Sequence, residues 1–186
     1  MNKLKFISAI ILILIGIAGR FFLVSYAGIP NFEIITAIAL ISGIYLGGVY
    51  AIVIPLSIIF LSDLVIGNTY IFIFTWTAFA LIGLFGFLFK NKLKKKLLFN
   101  SILIGITSSV FFYLYTNFGW WLMSGMYEYS LSGLIRCYWM AILFFRNNLV
   151  GNLIFVPLGI YTASKVFNYS QKRCYYFSAN KNERTL

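Results

Sequence analysis

The chain has 186 residues, of which 61% are hydrophobic and only 10% are charged, and its mean hydropathy is +0.91. Soluble domains carry about a quarter charged residues, so the composition excludes an ordinary soluble protein and predicts an all-α integral membrane protein. The sequence contains no histidine, which removes the commonest metal ligand and the usual general base of hydrolases. We therefore expect that the protein is not an enzyme and that it binds neither a metal nor another cofactor.

The net charge of +11 is concentrated in the connections between apolar segments. Twelve of the fifteen basic residues are Lys3, Lys5, the lysines of residues 90–96, and the basic residues from Lys165 onward. The positive-inside rule gives this distribution to cytoplasmic loops. The sequence offers no basic face interleaved with aromatic residues that would bind a phosphate backbone. We therefore expect that the chain lies in a lipid bilayer and does not bind nucleic acid.

Residues 6–24 form the first apolar run, which as a helix of about 28 Å is long enough to cross the hydrocarbon core. A signal peptide is the alternative. The run continues past the small-residue point at Gly16-Ile17-Ala18, which favours an uncleaved span. Arg20 lies about one turn inside the outer end. It either extends to the membrane interface or binds a ligand or a carboxylate.

A turn is predicted at residues 25–33, because Gly28 and Pro30 interrupt helical structure and Asn31 is suited to cap the next helix. The following apolar run, residues 34–66, would extend about 50 Å as one helix, which is too long for a single pass. Two short passes that reverse near Gly47-Gly48 place the lysine-rich residues 90–96 in the cytoplasm. We therefore predict two spans in this run.

Two features of this run carry alternatives. Gly43 and Gly47 form a GxxxG pair, which serves either packing within the chain or contact with a partner subunit. Asp63 follows Ser62 at the outer end of the third span. A carboxylate at this position costs free energy unless it is paired with a cation or faces a water-filled cavity. It is either a helix-terminal carboxylate in water or a partner of Arg20 or Arg146 that shapes a pocket.

Residues 70–89 and 97–115 are the predicted fourth and fifth spans. Residues 116–119 (Thr-Asn-Phe-Gly) predict a turn, and Trp120 and Trp121 follow it. The two tryptophans belong to the aromatic belt of the membrane interface or stack on a flat, ring-bearing ligand.

Residues 137–145 are too short an apolar run to cross a membrane and predict an interfacial or partly inserted helix that leads into the sixth span at residues 149–166. The chain thus divides into a six-span membrane domain, residues 1–167, and a basic cytoplasmic tail, residues 168–186. Both termini are then cytoplasmic. Cys137 and Cys174 fall on opposite sides of the membrane in this topology and are not expected to pair.

Polar and aromatic side chains gather in the predicted outer connections, where they suit a binding site for a small molecule that carries a ring. Arg146 is expected to make a principal charged contact in that site. The predicted substrate-binding residues are Arg20, Asn31, Phe32, Asp63, Asn117, Trp120, Trp121, Arg146, Asn147 and Asn152.

The length, the six spans and the order of several short motifs resemble the substrate-binding (S) components of energy-coupling-factor (ECF) transporters. A closer resemblance is to an uncharacterised family of small membrane proteins related to them. The resemblance covers residues 6–167. It is carried by Arg20, Pro30-Asn31-Phe32, Ser62-Asp63, Asn117-Phe118-Gly119, Phe144-Phe145-Arg146-Asn147 and Gly151-Asn152.

The resemblance implies an S-component-like helical bundle in the cell (plasma) membrane that binds a vitamin-like nutrient at an outward-facing pocket. It also implies coupling to a separate transmembrane subunit and to cytoplasmic ATPases. The first span departs from the AxxxA pattern of typical S components, since Ala9 and Ala18 do not have that spacing. A solitary transporter therefore stays open, as does a non-transporting scaffold or accessory subunit whose polar groups hold helices together.

Overall fold

The computed structural model describes the backbone of residues 2–183 and the side chains of residues 3–25 and 28–169. Within that range the chain forms seven α-helices and two π-helical segments and contains no strand, so the prediction of an all-α protein is confirmed. In chain order these are α1 (Asn2–Phe22), a π-helical turn (Leu23–Ala27), α2 (Ile35–Ile41), its π-helical continuation (Ser42–Leu46), α3 (Tyr50–Ile66), α4 (Phe72–Leu93), α5 (Leu97–Met123), α6 (Leu131–Met140) and α7 (Ile142–Glu183).

Four segments of the described chain are helical, long enough and apolar enough to cross a membrane, as expected of a membrane protein. They are Lys3–Ser25, Phe72–Leu93, Leu97–Met123 and Ile142–Tyr169. The run predicted to hold two further spans does form two helices, Ile35–Leu46 and Tyr50–Ile66, which are joined at Gly47 and Gly48. The first would extend only about 18 Å as a regular helix, so a count of six complete spans stays a prediction.

The short helix α2 occupies the centre of the bundle. All seven of its residues are buried, and it packs against α1, α3, α4, α5 and α7. A helix that is apolar on every side is buried either in protein or in lipid, and here the other helices surround it. Because its neighbours stand between it and the surroundings, α2 does not need the length of a lipid-facing helix.

Glycines allow α2 and its continuation to pack directly on α4. A Cβ atom at Gly43 would overlap the carbonyl oxygen of Gly83, and one at Gly86 would lie 2.9 Å from the carbonyl oxygen of Leu40. A Cβ atom on Gly83 itself would overlap the carbonyl oxygen of Ala51. Gly43 therefore serves packing within this chain, which is the first of the two uses predicted for the GxxxG pair.

The bundle has a lysine-rich end and an opposite end. Lys5 donates from Nζ to the carbonyl oxygen of Leu46 at 2.8 Å, and Lys94 Nζ lies 5.1 Å from the ring centroid of Tyr45. Tyr45 in turn stacks on Phe167. The beginning of α1, the end of α4 and this part of α7 thus share one end, and the positive-inside rule predicts that it faces the cytoplasm.

The turn predicted at residues 116–119 is wrong, because α5 continues through it to Met123. Thr116 and Asn117 donate from their side chains to carbonyl oxygens one turn earlier, at 2.7 and 2.8 Å, so both polar side chains are satisfied within a helix. Gly119 faces α4, where a Cβ atom would overlap the ring of Phe74. Close helix packing, and not a chain reversal, accounts for the glycine.

The backbone of α7 runs past residue 167 to Glu183, through the position at which the basic tail was predicted to begin. The side chains from residue 170 onward, including that of Cys174, lie outside the described residues. The division into a membrane domain and a tail therefore stays a prediction.

Candidate functional site

Arg20 and Asp63 form a salt bridge that joins α1 to α3. Arg20 Nη1 lies 2.6 Å from Asp63 Oδ1 and also donates to Ser62 Oγ at 2.5 Å. The two charged side chains are 19% and 8% exposed, so the pair is largely removed from solvent. Of the two interpretations of Asp63, the paired one holds, and its partner is Arg20.

The second carboxylate oxygen of Asp63 is also occupied. Oδ2 accepts from Asn68 Nδ2 at 2.6 Å and from Trp76 Nε1 at 2.9 Å. The carboxylate therefore ties the end of α3 to α1 and α4 at the same point. Its oxygens thus accept from three side chains, and the salt bridge fixes the position of Arg20.

A cavity of about 320 Å³ lies beside Arg20, at the end of the bundle opposite the lysines. This volume falls at the lower end of the range for small-molecule sites. The cavity combines an apolar, partly aromatic wall with a few polar groups. The residues that line it are Arg20, Leu23, Val24, Gly28, Ile29, Pro30, Asn31, Phe32, Glu33, Ile35, Thr75, Phe79, Phe112 and Asn148.

Glu33, in the connection before α2, caps that helix. Its Oε2 accepts from the backbone N–H of Thr36 at 3.0 Å, and its Oε1 accepts from Thr36 Oγ1 at 2.6 Å. Asn31, which was predicted to cap, instead has a left-handed backbone with φ of 59° and forms the turn. An acidic residue just before an apolar helical run is a helix-start signal, and it could have identified Glu33.

A chain of polar side chains leads from Glu33 into the bundle. Asn148 Nδ2 donates to Glu33 Oε1 at 3.4 Å, and Asn152 Nδ2 donates to Asn148 Oδ1 at 3.1 Å and to Ser109 Oγ at 2.8 Å. Asn152 is fully buried, and among the described residues its Oδ1 finds no donor. These contacts join α5 and α7 to the connection before α2, whose residues line the cavity.

Two further contacts attach residues 28–34 to α7. Asn147 Nδ2 donates to the carbonyl oxygen of Pro30 at 3.1 Å. Phe32 meets Phe155 edge to face, with the ring centroids 5.3 Å apart, and a Cβ atom at Gly151 would lie 3.2 Å from the Phe32 ring. The connection is therefore packed on the bundle and forms a wall of the cavity.

The predicted site residues divide into three groups. Arg20, Asn31 and Phe32 line the cavity, and Asp63, Asn147 and Asn152 lie one contact behind its wall. The remaining four, Asn117, Trp120, Trp121 and Arg146, do not line it.

The outlying residues have other surroundings. Trp121 Nε1 donates to the carbonyl oxygen of Glu128 at 2.9 Å and so holds the α5–α6 connection, whereas Arg146 is exposed. Their roles in binding stay predictions. Sequence reasoning missed Glu33, Thr75, Phe79 and Phe112 as lining residues. Among the described side chains, no group of three or more Cys, Asp or Glu residues is placed to hold a metal ion.

Burial raises the pKa of the Glu33 carboxyl above its ordinary value of 4.5, although the hydrogen bonds from Thr36 and the charge of Arg20 act in the opposite direction. Folding therefore disfavours the charged form of Glu33 relative to a free glutamate. When it is protonated, the carboxyl group has an O–H donor that a carboxylate lacks.

We expect Glu33→Gln to remove a pH dependence of stability. A raised folded-state pKa means that the stabilising contribution of the carboxyl is fully present below 4.5 and is lost as pH rises through the folded-state value. The variant cannot ionise. It lacks one acceptor for Thr36, which lowers its stability by about 1 kcal/mol at low pH, but its profile should be flatter.

The measurement is the thermal unfolding of both proteins in detergent between about pH 4 and about pH 8, the range in which a raised carboxyl pKa acts. The difference between the two curves isolates Glu33 from the other titrating groups. A constant difference over the whole range would contradict the expectation.

A family model described as "Family of unknown function (DUF6580)" matches residues 1–172, a segment that includes every residue lining the cavity. No curated protein and no solved structure matches the chain significantly. The match covers all of α1 to α6 and most of α7. The chain belongs to the DUF6580 family.

Proposed function

We propose that this protein binds a small, uncharged, ring-bearing molecule in the cavity beside Arg20 and takes part in its uptake across the cell membrane. The observation that carries the proposal is the composition of the cavity wall. Polar side chains from the 28–34 connection and α7 stand together with the rings of Phe32, Phe79 and Phe112 in a space of about 320 Å³.

The charge balance of the cavity favours an uncharged ligand. Arg20 is already neutralised by Asp63, and burial raises the pKa of Glu33, which disfavours its charged form relative to a free glutamate. A fully charged ligand would enter this largely apolar space without an unpaired counter-charge, which costs free energy. A neutral ring with polar edges can instead accept from Arg20, whose guanidinium has five N–H donors and uses Nη1 for its contacts with Asp63 and Ser62.

The uptake part of the proposal is supported by the position of the cavity. It lies at the end opposite the lysine-rich residues 90–96, and this end faces outward if the positive-inside rule holds. The resemblance to ECF S components adds a transmembrane coupling subunit and cytoplasmic ATPases as proposed partners. On this proposal the protein is a binding and transport subunit and not an enzyme.

A scaffold or accessory subunit is the second candidate. The hydrogen bonds made by Asp63 and by Asn152 support it, because each links two or more helices and would be equally useful without a ligand. This candidate predicts an empty cavity and partner subunits that stay bound through purification.

The test is native mass spectrometry of the protein purified gently from its own host. Thr75 lines the cavity, and Thr75→Phe should fill part of it and reduce a co-purifying small molecule at least about tenfold, as expected for a lost fit worth about 1.4 kcal/mol. Arg146→Ala tests the alternative that the sequence predicted, because Arg146 is exposed and does not line the cavity.

A small molecule that is retained in the wild type and in Arg146→Ala but lost in Thr75→Phe would support the proposal, provided that the unfolding temperatures agree. A ligand lost only in Arg146→Ala would move the site away from this cavity. A wild-type protein that carries other membrane subunits and no small molecule would favour the scaffold.

A further inference from the structure

A second cavity, of about 420 Å³, lies between α4 and α5 near the lysine-rich end. Phe85, Phe89 and Leu103 line it and are 38%, 45% and 52% exposed, whereas Leu93 is 7% and Ser108 4% exposed. The cavity therefore opens on the side of the bundle and extends inward to buried residues. We call this cavity the α4–α5 groove.

The wall of the α4–α5 groove is apolar over most of its length. Aromatic and aliphatic side chains dominate it, and the hydroxyl of Thr107 donates to the carbonyl oxygen of Leu103 within its own helix at 2.9 Å. From Asn100 to Phe111 the α5 side of the groove extends about 16 Å. A narrow space of this length between two exposed helices suits a hydrocarbon chain.

One end of the groove is polar and positively charged. Lys92 and Asn100 line it there, and Asn100 Nδ2 donates to the backbone carbonyl oxygen of Lys92 at 2.7 Å, which joins the end of α4 to the beginning of α5. Residues 90–96 contain five lysines and no acid. Among the described residues, the ion pair between Arg20 and Asp63 at the opposite end is the only one, so no carboxylate neutralises Lys92.

We infer that the α4–α5 groove binds one anionic phospholipid, with an acyl chain between the helices and the phosphate at Lys92. Charge complementarity selects the occupant, because a lysine cluster beside an apolar, laterally open groove matches an anionic headgroup above its own chain. A water-soluble anion would use the charge but leave the apolar wall uncovered. The inference is independent of the small-molecule cavity beside Arg20.

The first experiment compares lipids and lysines. Detergent-purified, delipidated protein is mixed with phosphatidylglycerol or phosphatidylcholine, and the bound lipid is counted by native mass spectrometry. The wild type should retain one phosphatidylglycerol in preference to phosphatidylcholine. Lys92→Gln should weaken that retention about fivefold, the effect of one lysine near an anionic surface. Lys95→Gln removes the same charge outside the groove and should have little effect.

Equal retention of the two lipids would overturn the inference. So would equal weakening by Lys92→Gln and Lys95→Gln, since that result describes diffuse attraction to the lysine run and not a site.

The second experiment tests the acyl chain. Thr107→Trp places an indole inside the groove, whereas Val110→Trp adds the same ring three residues further along α5, at an exposed position that does not line the groove. Thr107→Trp should abolish the retained lipid and Val110→Trp should keep it, at matched unfolding temperatures. Displacement of the lipid by glycerol phosphate as readily as by phosphatidylglycerol would show that only the phosphate is recognised and would overturn the inference.

Discussion

Arg20→Ala should lower the free energy of unfolding by about 3 kcal/mol, the lower part of the range for removing one partner of a buried ion pair. The substitution leaves the Asp63 carboxylate, which is 8% exposed, without its cation. Asn68 and Trp76 still donate to Asp63 Oδ2, which is why we expect the lower part of the range. Thermal and denaturant unfolding in detergent, followed by circular dichroism, measures the change.

A double-mutant cycle provides the control for this prediction. Asp63→Asn alone should also destabilise, because it leaves Arg20 without a counter-charge, whereas Arg20→Ala combined with Asp63→Asn removes both charges. The double variant should lose less stability than the two single changes added together, with a coupling of about 1 to 3 kcal/mol. Strict additivity would mean that the pair contributes nothing as a pair.

Gly83→Ala should prevent the native packing of the bundle centre and reduce stability by about 3 kcal/mol, the upper part of the usual range for an overpacked core. A Cβ atom at this position would overlap the carbonyl oxygen of Ala51 and lie 3.3 Å from that of Ala39. Both obstacles are backbone atoms of neighbouring helices, so relief requires α4 to move away from α2 and α3. Size-exclusion chromatography of solubilised protein, followed by thermal unfolding, measures the loss.

Gly159→Ala is the matched control, since it adds the same methyl group to another helical glycine. There the nearest atom is Ile41 Cδ1 at 3.1 Å, the end of a flexible side chain that can rotate. We expect this variant to elute as the wild type does and to unfold at a similar temperature. If Gly83→Ala behaves in the same way, the close approach of α4 to α3 is not a determinant of stability.

Composition and charge pattern determined the class of protein and the position of its helices. The long apolar runs and the lysines at residues 90–96 predict membrane helices, and the structure has a helix in each of the six predicted spans. Asp63 was also recognised as a candidate for pairing with Arg20. Such features are accessible to sequence reasoning because hydrophobicity and the cost of an unpaired charge are properties of local residues.

Membership of the cavity was decided only by the tertiary structure. Glu33 and Asn148 meet there, although 115 residues separate them, whereas Trp121 and Arg146, whose side chains also looked suited to a ligand, lie elsewhere. The central position of α2 could not be predicted from the sequence either, because an apolar helix has the same composition whether it faces lipid or protein. The pairing of helix faces depends on close backbone contacts such as those at Gly83. These contacts join segments that are distant in the sequence.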